Sequence, residues 1–249
     1  MTVFGHPHSM TTVTLTLFRF GSVARKLWVL GQMGLARRDM ARMPEAQFWK
    51  LCGSGTGEGF TPKPNWSVWA ILVAWPDPAT ARDRVTHAPV FRRWRDRAVE
   101  DCTIYLSPAS VRGAWSGRQP FAGTGTIDGP LAVLTRATLR PGAALRFWNR
   151  VPDISGAIGA DPQVAFKIGI GEVPLMHQVT FSVWPDAAAM TRFAREDGPH
   201  ARAIRAVREG AWFREELYAR FRILGATGMW GGADPLARLS PPLPALDAA

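Results

Sequence analysis

The sequence contains few of the groups that carry ordinary enzyme chemistry. Its 249 residues include only 2 cysteines and 2 tyrosines. Cys52 and Cys102 show neither a disulfide framework nor a metal-ligand spacing, so we interpret them as thiols in a reducing compartment. With no signal peptide and no apolar run of about 18 residues, the chain is expected to be neither secreted nor membrane-spanning. No Ser-His-Asp elbow, HExxH helix or CxxC pair occurs, and carboxylates are few in the predicted core, which disfavours hydrolysis by general acid–base catalysis.

Positive charge and tryptophan, in contrast, are plentiful. Lys and Arg number 30 against 20 Asp and Glu, which gives a formal net charge of +10. The arginines are scattered along predicted helices without a nucleic-acid-binding motif, so we expect no nucleic-acid partner. An anionic membrane surface or an acidic protein fits this charge better. The 11 tryptophans indicate either a tryptophan-rich core or a channel for an apolar ligand.

Two segments share a pattern of strand, Trp-Pro-Asp and helix. They are AILVAWPDPATARDRV (residues 70–85) and QVTFSVWPDAAAMTRF (residues 178–193), and in each the aspartate is a predicted N-terminal helix cap. Matching strands and helices on both sides give each half the ferredoxin-like order β-α-β-β-α-β. The sequence therefore predicts an α+β fold in which duplicated ferredoxin-like halves form a dimeric-α/β-barrel-like body. The predicted boundaries are a flexible N-terminal tail 1–10, a first half 11–125, a second half 126–232 and a Pro-rich flexible C-terminal tail 233–249.

A glycine-rich segment, GSGTGEG (residues 53–59), looks at first like a phosphate-binding loop. Lys50 and Lys167 are 117 residues apart, whereas Trp75 and Trp184 are 109 apart. The first half therefore carries about eight extra residues between its second and third strands. A phosphate-binding loop leads into a helix, but Thr-Pro-Lys-Pro follows here. We interpret the segment as an enlarged strand-to-strand loop, either a flexible lid or a plain surface connection.

Two histidines of the second half stand where the first half has valine. His200 lies on the apolar face of a predicted helix (residues 196–210), and its counterpart is Val90. His177 begins an alternating strand, and its counterpart is Val68. If the apolar face of that strand is covered by helices, the two histidines border the same gap. Each is open to two interpretations, either a buried histidine hydrogen-bonded within the protein or a group at a haem iron.

The haem interpretation places a pocket in the second half and gives each candidate residue a role. His200 would be the axial ligand to the iron, and His177 would lie on the opposite side, as a ligand or over the iron. Arg136 and Arg220, on neighbouring predicted strands, would stabilise bound oxygen or a haem propionate. Surface salt bridges explain the two arginines equally well. The predicted catalytic residues are thus His177, Arg136 and Arg220, with His200 as the metal- and cofactor-binding residue.

Four segments resemble the spheroidene monooxygenase family, the acyclic carotenoid 2-ketolases of purple phototrophic bacteria. They are LFRFGSVARKLWVLGQMGLAR (17–37), FWKLCGSGTGEGFTPKPNW (48–66), RFWNRVPDISGAIGADPQVAFKIGIGEVP (146–174) and DGPHARAIRAVR (197–208). The resemblance extends from about residue 12 to 234. It implies an oxygen-dependent enzyme that contains haem b and takes electrons from reduced ferredoxin. Its substrate would be an acyclic carotenoid, with C-2 of spheroidene hydroxylated and then oxidised to the ketone spheroidenone.

The resemblance also implies a location and partners. We expect a cytoplasmic protein, peripheral to the inner or intracytoplasmic membrane, that contacts ferredoxin and an anionic membrane. Homo-oligomerisation stays open. One alternative is a haem-dependent, dehydratase-like enzyme on the same fold that acts on a small molecule without external electrons. The other is a non-catalytic carotenoid- or haem-binding protein.

Overall fold

The protein is an eight-stranded barrel with helices on its outside, seen in a computed structural model that describes residues 11–58, 61–123, 125–144, 146–149, 161–195 and 212–239. The strands are β1 (Thr12–Arg19), β2 (Phe48–Gly55), β3 (Pro64–Trp75), β4 (Glu100–Gly113), β5 (Leu131–Leu139), β6 (Phe166–Gly171), β7 (His177–Trp184) and β8 (Phe213–Gly228). The helices are α1 (Val23–Ala41), α2 (Pro78–His87), α3 (Pro89–Arg95) and α4 (Ala187–Arg195). The predicted α+β class is confirmed.

All neighbouring strands in the barrel are antiparallel, and the ring closes in the order β1-β3-β2-β6-β7-β5-β8-β4. The spatial order of neighbouring strands is β4-β1-β3-β2 in the first half and β8-β5-β7-β6 in the second half, each beginning with the last strand of that half. Both halves therefore use the same order of strands. They meet at β2 with β6 and at β4 with β8.

The interior of the barrel is filled by side chains. Alternate residues of each strand point inward and form one buried cluster of aliphatic and aromatic groups. Trp115 and Trp230, from the segments that follow β4 and β8, belong to this cluster. The free thiols of Cys52 and Cys102 are also buried in it, and burial raises the pKa of Cys52.

The outer face of the first half packs against α1, α2 and α3. Phe18 on β1 and Trp94 on α3 are fully buried there, with their rings edge to face and 5.3 Å between centroids. Such a pair stabilises a core by about 0.5–1.5 kcal/mol beyond the burial of its area. Of the tryptophans, those that are buried are Trp69, Trp75, Trp94, Trp115, Trp184, Trp212 and Trp230. This distribution supports the interpretation of a tryptophan-rich core.

The helices that follow the two Trp-Pro-Asp motifs begin as predicted. The Asp77 side chain accepts a hydrogen bond from the Thr80 backbone N–H at 2.7 Å, at the start of α2. The Asp186 side chain accepts one from the Ala189 N–H, also at 2.7 Å, at the start of α4. A side chain of this kind satisfies a backbone donor that the helix itself leaves unpaired. The cap therefore fixes where each helix leaves its strand.

The pairing register corrects one predicted correspondence. Lys50 lies opposite Leu72, whereas Lys167 lies opposite Ser182. Lys50 alternates with the inward-facing Phe48 and Cys52, while Lys167 alternates with inward-facing Ile168 and therefore points outward. The two lysines are thus not equivalent. The predicted match of Lys50 with Lys167 is wrong by one residue, because both segments have the pattern aromatic-Lys-aliphatic.

The glycine-rich segment lies between β2 and β3, as predicted. After Gly55 the chain makes a short 3-10 turn, Thr56–Glu58, in which Gly57 has a φ of 71°. The register between β2 and β3 also shifts at Gly53/Ser54. No helix begins after the glycines, because β3 follows them. This arrangement confirms a strand-to-strand connection and excludes the phosphate-binding loop.

The predicted segment boundaries stay predictions, and the tail at residues 1–10 lies outside the described residues. Within the predicted C-terminal tail, Leu236 and Leu239 are buried in the interior cluster of the barrel. Residues 234–239 therefore contribute to the core at the end of the barrel where β8 ends.

The backbone conformation of Gly113 allows the chain to turn from β4 into the segment that contains Trp115. Its φ is 96°, and a Cβ there would collide with the backbone carbonyl oxygen of Glu216. We expect Gly113→Ala to lower the free energy of unfolding by about 1–3 kcal/mol, because it adds that collision to backbone strain. Denaturant unfolding followed by circular dichroism measures the change.

Gly117→Ala is the matched control, because Gly117 also has a positive φ (74°) but has nothing within 4 Å of the added Cβ. Equal losses for the two variants would show that the Glu216 carbonyl plays no part.

Candidate functional site

Five ionisable side chains gather inside the barrel, at the end where β4, β5 and β6 finish. Each lies on the inward-facing row of its strand or directly beyond that strand. They are Lys50 of β2, Arg136 of β5, Glu172 after β6, His177 of β7 and Glu215 of β8. This set is called the interior cluster below. It is the main polar interruption in an interior that is otherwise apolar.

Glu172 is the centre of the interior cluster. Its Oε1 is 2.7 Å from Lys50 Nζ, and its Oε2 accepts a hydrogen bond from Trp115 Nε1 at 2.7 Å. Oε2 is also 3.5 Å from His177 Nδ1 and 4.0 Å from Arg136 Nη2. One carboxylate therefore faces three basic side chains and an indole donor.

Arg136 is the most deeply buried member, with 2% of its side chain exposed. Its Nη1 is 3.1 Å from Glu215 Oε1, and its guanidinium lies 5.6 Å from the centre of the Trp115 ring. Among the described residues, however, Nε and Nη1 find no well-aligned hydrogen-bond acceptor. The charge of Arg136 is thus balanced mainly by ion pairing, while part of its hydrogen-bonding capacity is unused.

The segment after β4 covers the cluster and is tied to it by hydrogen bonds. Glu215 accepts bonds from the backbone N–H groups of Ser116 (3.0 Å) and Gly117 (3.3 Å). Lys50 Nζ donates to Ser116 Oγ at 2.7 Å. Trp115 is fully buried, and its ring packs in the apolar interior while its indole N–H bonds to Glu172.

The electrostatics of the cluster favour a neutral histidine. Burial lowers the pKa of His177, the positive charges of Arg136 and Lys50 lower it further, and Glu172 opposes the shift without cancelling it. Burial alone would raise the pKa of Glu172, but hydrogen bonds from Lys50 and Trp115 outweigh it, and the pKa is lowered. At neutral pH the set holds two cations, two carboxylates and an imidazole able to accept a proton.

The structure separates the predicted site residues. His177 and Arg136 meet through Glu172, but their row points into the barrel, since it contains Val179 and Leu134 of the interior core. The expectation that His177 borders a helix-covered gap is therefore wrong, because its apolar face is the inner one. Arg220 is exposed on the outer face of β8, opposite Val133. His200 lies outside the described residues.

Sequence reasoning missed Lys50, Glu172 and Glu215 as members of the site. A signal for Glu172 was present, because it continues the two-residue alternation of Ile168 and Ile170. The meeting of these side chains depends on long-range strand pairing: β5 pairs with β8 within the second half, and closure of the barrel brings β2 beside β6.

A second feature lies on the outer face of the second half, where large apolar residues are replaced. Both halves can be matched by register, with Trp75 opposite Thr12 and Trp184 opposite Leu131. In the first half four outward positions hold Phe18, Leu51, Trp69 and Ile71, all buried beneath the helices. The matching second-half residues are Ala137, Gly169, Gln178 and Thr180. We call these four the second-half cradle.

The cradle lies between two apolar clusters along the sheet. One contains Trp184 with Leu131 and Met190 of α4. The other contains Trp212 and Phe147 with Leu139. The cradle therefore replaces four large apolar side chains by Ala137, Gly169, Thr180 and the longer, polar Gln178, with aromatic residues at both of its ends. The described residues contain no cluster of three His, Cys, Asp or Glu suited to a bare metal ion, whereas haem requires only one axial protein ligand.

Comparison with solved structures shows the class of fold. The crystal structure of aldoxime dehydratase aligns with a TM-score of 0.59, covering 90% of this chain and 82% of that chain at 11% identity. A second aldoxime dehydratase, in complex with butyraldoxime, aligns with a TM-score of 0.57 over 87% of this chain and 81% of that one, at 10% identity. The chain thus has the α+β barrel fold of these proteins.

Comparison with curated proteins shows the family. Spheroidene monooxygenase of Rhodobacter capsulatus is 54% identical over 92% of this chain and 96% of its own length. That of Cereibacter sphaeroides is 54% identical over 91% of this chain and 71% of its own. That of Rubrivivax gelatinosus is 34% identical over 84% of this chain and 81% of its own. The chain belongs to the spheroidene monooxygenase family.

Two searches, one for a family model and one for a membrane-spanning helix within the described residues, found no match. No protein-family model matches the chain. Among the helices of the described residues, none is both long enough and apolar enough to cross a bilayer.

The contacts of the interior cluster predict how the pKa of His177 responds to a change at Glu172. We expect Glu172→Gln to lower the pKa of His177 further, because Glu172 is the group that raises it against burial and two cations. NMR titration of the imidazole, assigned with His177→Gln, measures the shift.

Glu45→Gln is the control, since it removes a half-buried partner of Arg84 away from the cluster and is expected to leave His177 unchanged. An unchanged or raised His177 pKa in Glu172→Gln would contradict the assigned electrostatics.

Proposed function

We propose that the chain is a haem-dependent carotenoid monooxygenase. It would hydroxylate and then ketonise C-2 of acyclic carotenoids, from spheroidene to spheroidenone, with O2 and electrons from reduced ferredoxin. The observation that carries the proposal is the 54% identity to the spheroidene monooxygenase of R. capsulatus over 92% of the chain. At this identity, and with both chains covered almost completely, the same fold and the same reaction are expected.

The second-half cradle supports a planar cofactor on the outer face of β5, β6 and β7. In the first half the same positions carry Phe18 and Trp69, which fill the space beneath the helices. In the second half the matching positions include Ala137 and Gly169, which fill less of that space. We propose haem b as the cofactor, with His200 as its axial ligand, because this histidine belongs to the predicted helix of the same half. When bound, haem would supply the activation of O2.

The described residues would contribute differently on the two sides of the barrel wall. Arg220 lies on the same outer face as the cradle, across from Val133, and would pair with a haem propionate. His177 and Arg136 point to the opposite side, into the barrel. The strand layer would separate them from a group in the cradle, and a direct catalytic role for them stays a prediction. Their position suits them to hold the barrel end together through Glu172.

The proposed reaction requires two oxygenations at one carbon. In each, one atom of O2 enters a C–H bond, and the other leaves as water with two electrons and two protons from the donor side. The second hydroxylation gives a geminal diol, which loses water to form the ketone. The C-2 methylene is allylic, so its C–H bond is weaker than that of an isolated alkyl chain. The +10 net charge supports attraction of an acidic ferredoxin as the donor.

We further propose that the halves descend from one duplicated ferredoxin-like unit. The support is the common order of strands in both halves and the aspartate cap at the start of α2 and α4. In this proposal the second half retained the strand order, while the large apolar side chains on its outer face were replaced and a cofactor site formed there.

The cofactor site is tested by spectroscopy. Protein loaded with haem is expected to show a Soret band that shifts or is lost in His200→Ala, and that is strongly reduced in Ala137→Phe. The second change restores the bulk that Phe18 supplies in the first half and would fill the cradle. Ala137→Ser is the control and should bind haem normally, with circular dichroism reporting the fold of each variant. A Soret band unchanged in both test variants would place the haem elsewhere, and the absence of any Soret band in the wild type would exclude haem.

The reaction is tested by turnover. We expect spheroidene, O2, ferredoxin and a ferredoxin-reducing system to yield the 2-hydroxy product and then the ketone, and omission of the reductant to abolish both. Haem binding without any 2-oxygenated product would favour a binding protein. Turnover of a small molecule without external electrons would favour the dehydratase-like alternative.

A further inference from the structure

Helix α1 has two apolar faces, and only one of them packs against the barrel. Its inner face buries Val29, Ala36 and Met40. Its outer face exposes Val23 (73%), Leu27 (65%), Leu30 (43%) and Leu35 (56%). Val23, Leu27 and Leu30 follow the i, i+4, i+7 spacing of a single stripe, and Leu35 is exposed farther along the helix, about a third of a turn around from that stripe. A helix on the surface of a soluble barrel ordinarily places polar residues there.

The stripe continues onto the end of the barrel where α1 begins. Val99 is 58% exposed, and its backbone N–H bonds to the carbonyl oxygen of Arg19 at 2.8 Å. Trp66 is 51% exposed, next to Ser67, whose carbonyl accepts the Phe20 N–H at 2.8 Å. Both therefore flank the turn between β1 and α1. We call Val23, Leu27, Leu30, Leu35, Trp66 and Val99 the α1 patch.

Basic side chains surround the α1 patch. Arg25 and Lys26 follow Val23, and Arg37 and Arg38 follow Leu35, while the first turn of α1 has no acidic residue. The acidic residue of the helix, Asp39, is paired with Arg93 of α3. Arg97, beyond α3, lies over the Trp28 ring at 4.5 Å. The outer surface of this helix is therefore both apolar and positively charged.

We infer that the α1 patch docks the protein onto an anionic lipid bilayer. An apolar stripe with a basic rim is the pattern of helices that lie in the membrane interface, where leucines enter the acyl boundary and cations meet anionic headgroups. An exposed tryptophan such as Trp66 favours the same interface. A second copy of the chain is a poorer occupant, because its own basic rim would face this one. The inference rests on the proposed function in one respect: a carotenoid substrate dissolved in lipid would explain why the protein docks onto a bilayer.

Binding to vesicles tests the patch. We expect the wild type to sediment with vesicles of phosphatidylcholine and phosphatidylglycerol. The double variant Leu27→Ser/Leu30→Ser should bind these vesicles with an affinity lower by a factor of about ten or more. Val173→Ser/Leu175→Ser is the matched control. Each of its residues is 43% exposed, but they lie between β6 and β7 at the other end of the barrel, so binding should be unchanged.

The charge component is tested separately. Arg37→Gln/Arg38→Gln should weaken binding to anionic vesicles severalfold and make it less sensitive to salt. Binding to pure phosphatidylcholine should stay unchanged and weak. The absence of vesicle binding by the wild type, or an equal loss in the Val173/Leu175 control, would overturn the inference. So would a wild-type dimer that Leu27→Ser/Leu30→Ser converts to monomer, because the patch would then be an interface between copies.

A turnover assay distinguishes this inference from the proposed function. Leu27→Ser/Leu30→Ser should keep the haem spectrum and the turnover of carotenoid presented in detergent, but lose turnover of carotenoid embedded in vesicles. If the wild type oxygenates no carotenoid in either form, the proposed function fails, while the vesicle-binding result still decides the role of the patch. Equal turnover of vesicle-embedded carotenoid by both proteins would contradict docking through α1.

Discussion

Closure of eight antiparallel strands into a barrel is the constraint on which the rest of the structure depends. A closed sheet has one inner and one outer face, so every strand residue is assigned to one of two environments by its parity alone. The inner row is filled by a single apolar core, and the ring joins the halves through β2 with β6 and β4 with β8. The barrel wall thus divides the molecule into an interior with buried charge at one end and an outer surface that carries helices.

The interior cluster shows how that division affects electrostatics. Burying Arg136 without a partner would be costly, and its ion pair with Glu215 on the neighbouring strand β8, together with the nearby Glu172, offsets that cost. Closure of the barrel, which brings β2 beside β6, adds Lys50 to this set. The same carboxylate, Glu172, holds Lys50 and lies beside His177. A change at Glu172 therefore reaches strands from both halves. This cluster stabilises the junction of the halves at the end of the barrel covered by Trp115.

Much of the architecture could be predicted from the sequence, because it depends on local patterns. The strand alternation, the Asp77 cap and the strand-to-strand position of the glycine-rich segment all follow from neighbouring residues. The face on which His177 lies could not be predicted, because alternation shows two faces without showing which one closes inward. The match of Lys50 with Lys167 failed for a related reason, since a shift of one residue reverses the face and leaves the local pattern almost unchanged. Glu215 joined the site only through long-range pairing.

The two halves use the same strand order but differ in the side chains on their outer faces. In the first half the outer face is packed with Phe18, Trp69 and Trp94, and that packing contributes stability and leaves no room for a ligand. In the second half Ala137 and Gly169 stand where the first half has Phe18 and Leu51, so the barrel wall itself supplies less apolar bulk there. The half with the dense core supports α1, whose outer face exposes Val23, Leu27 and Leu30.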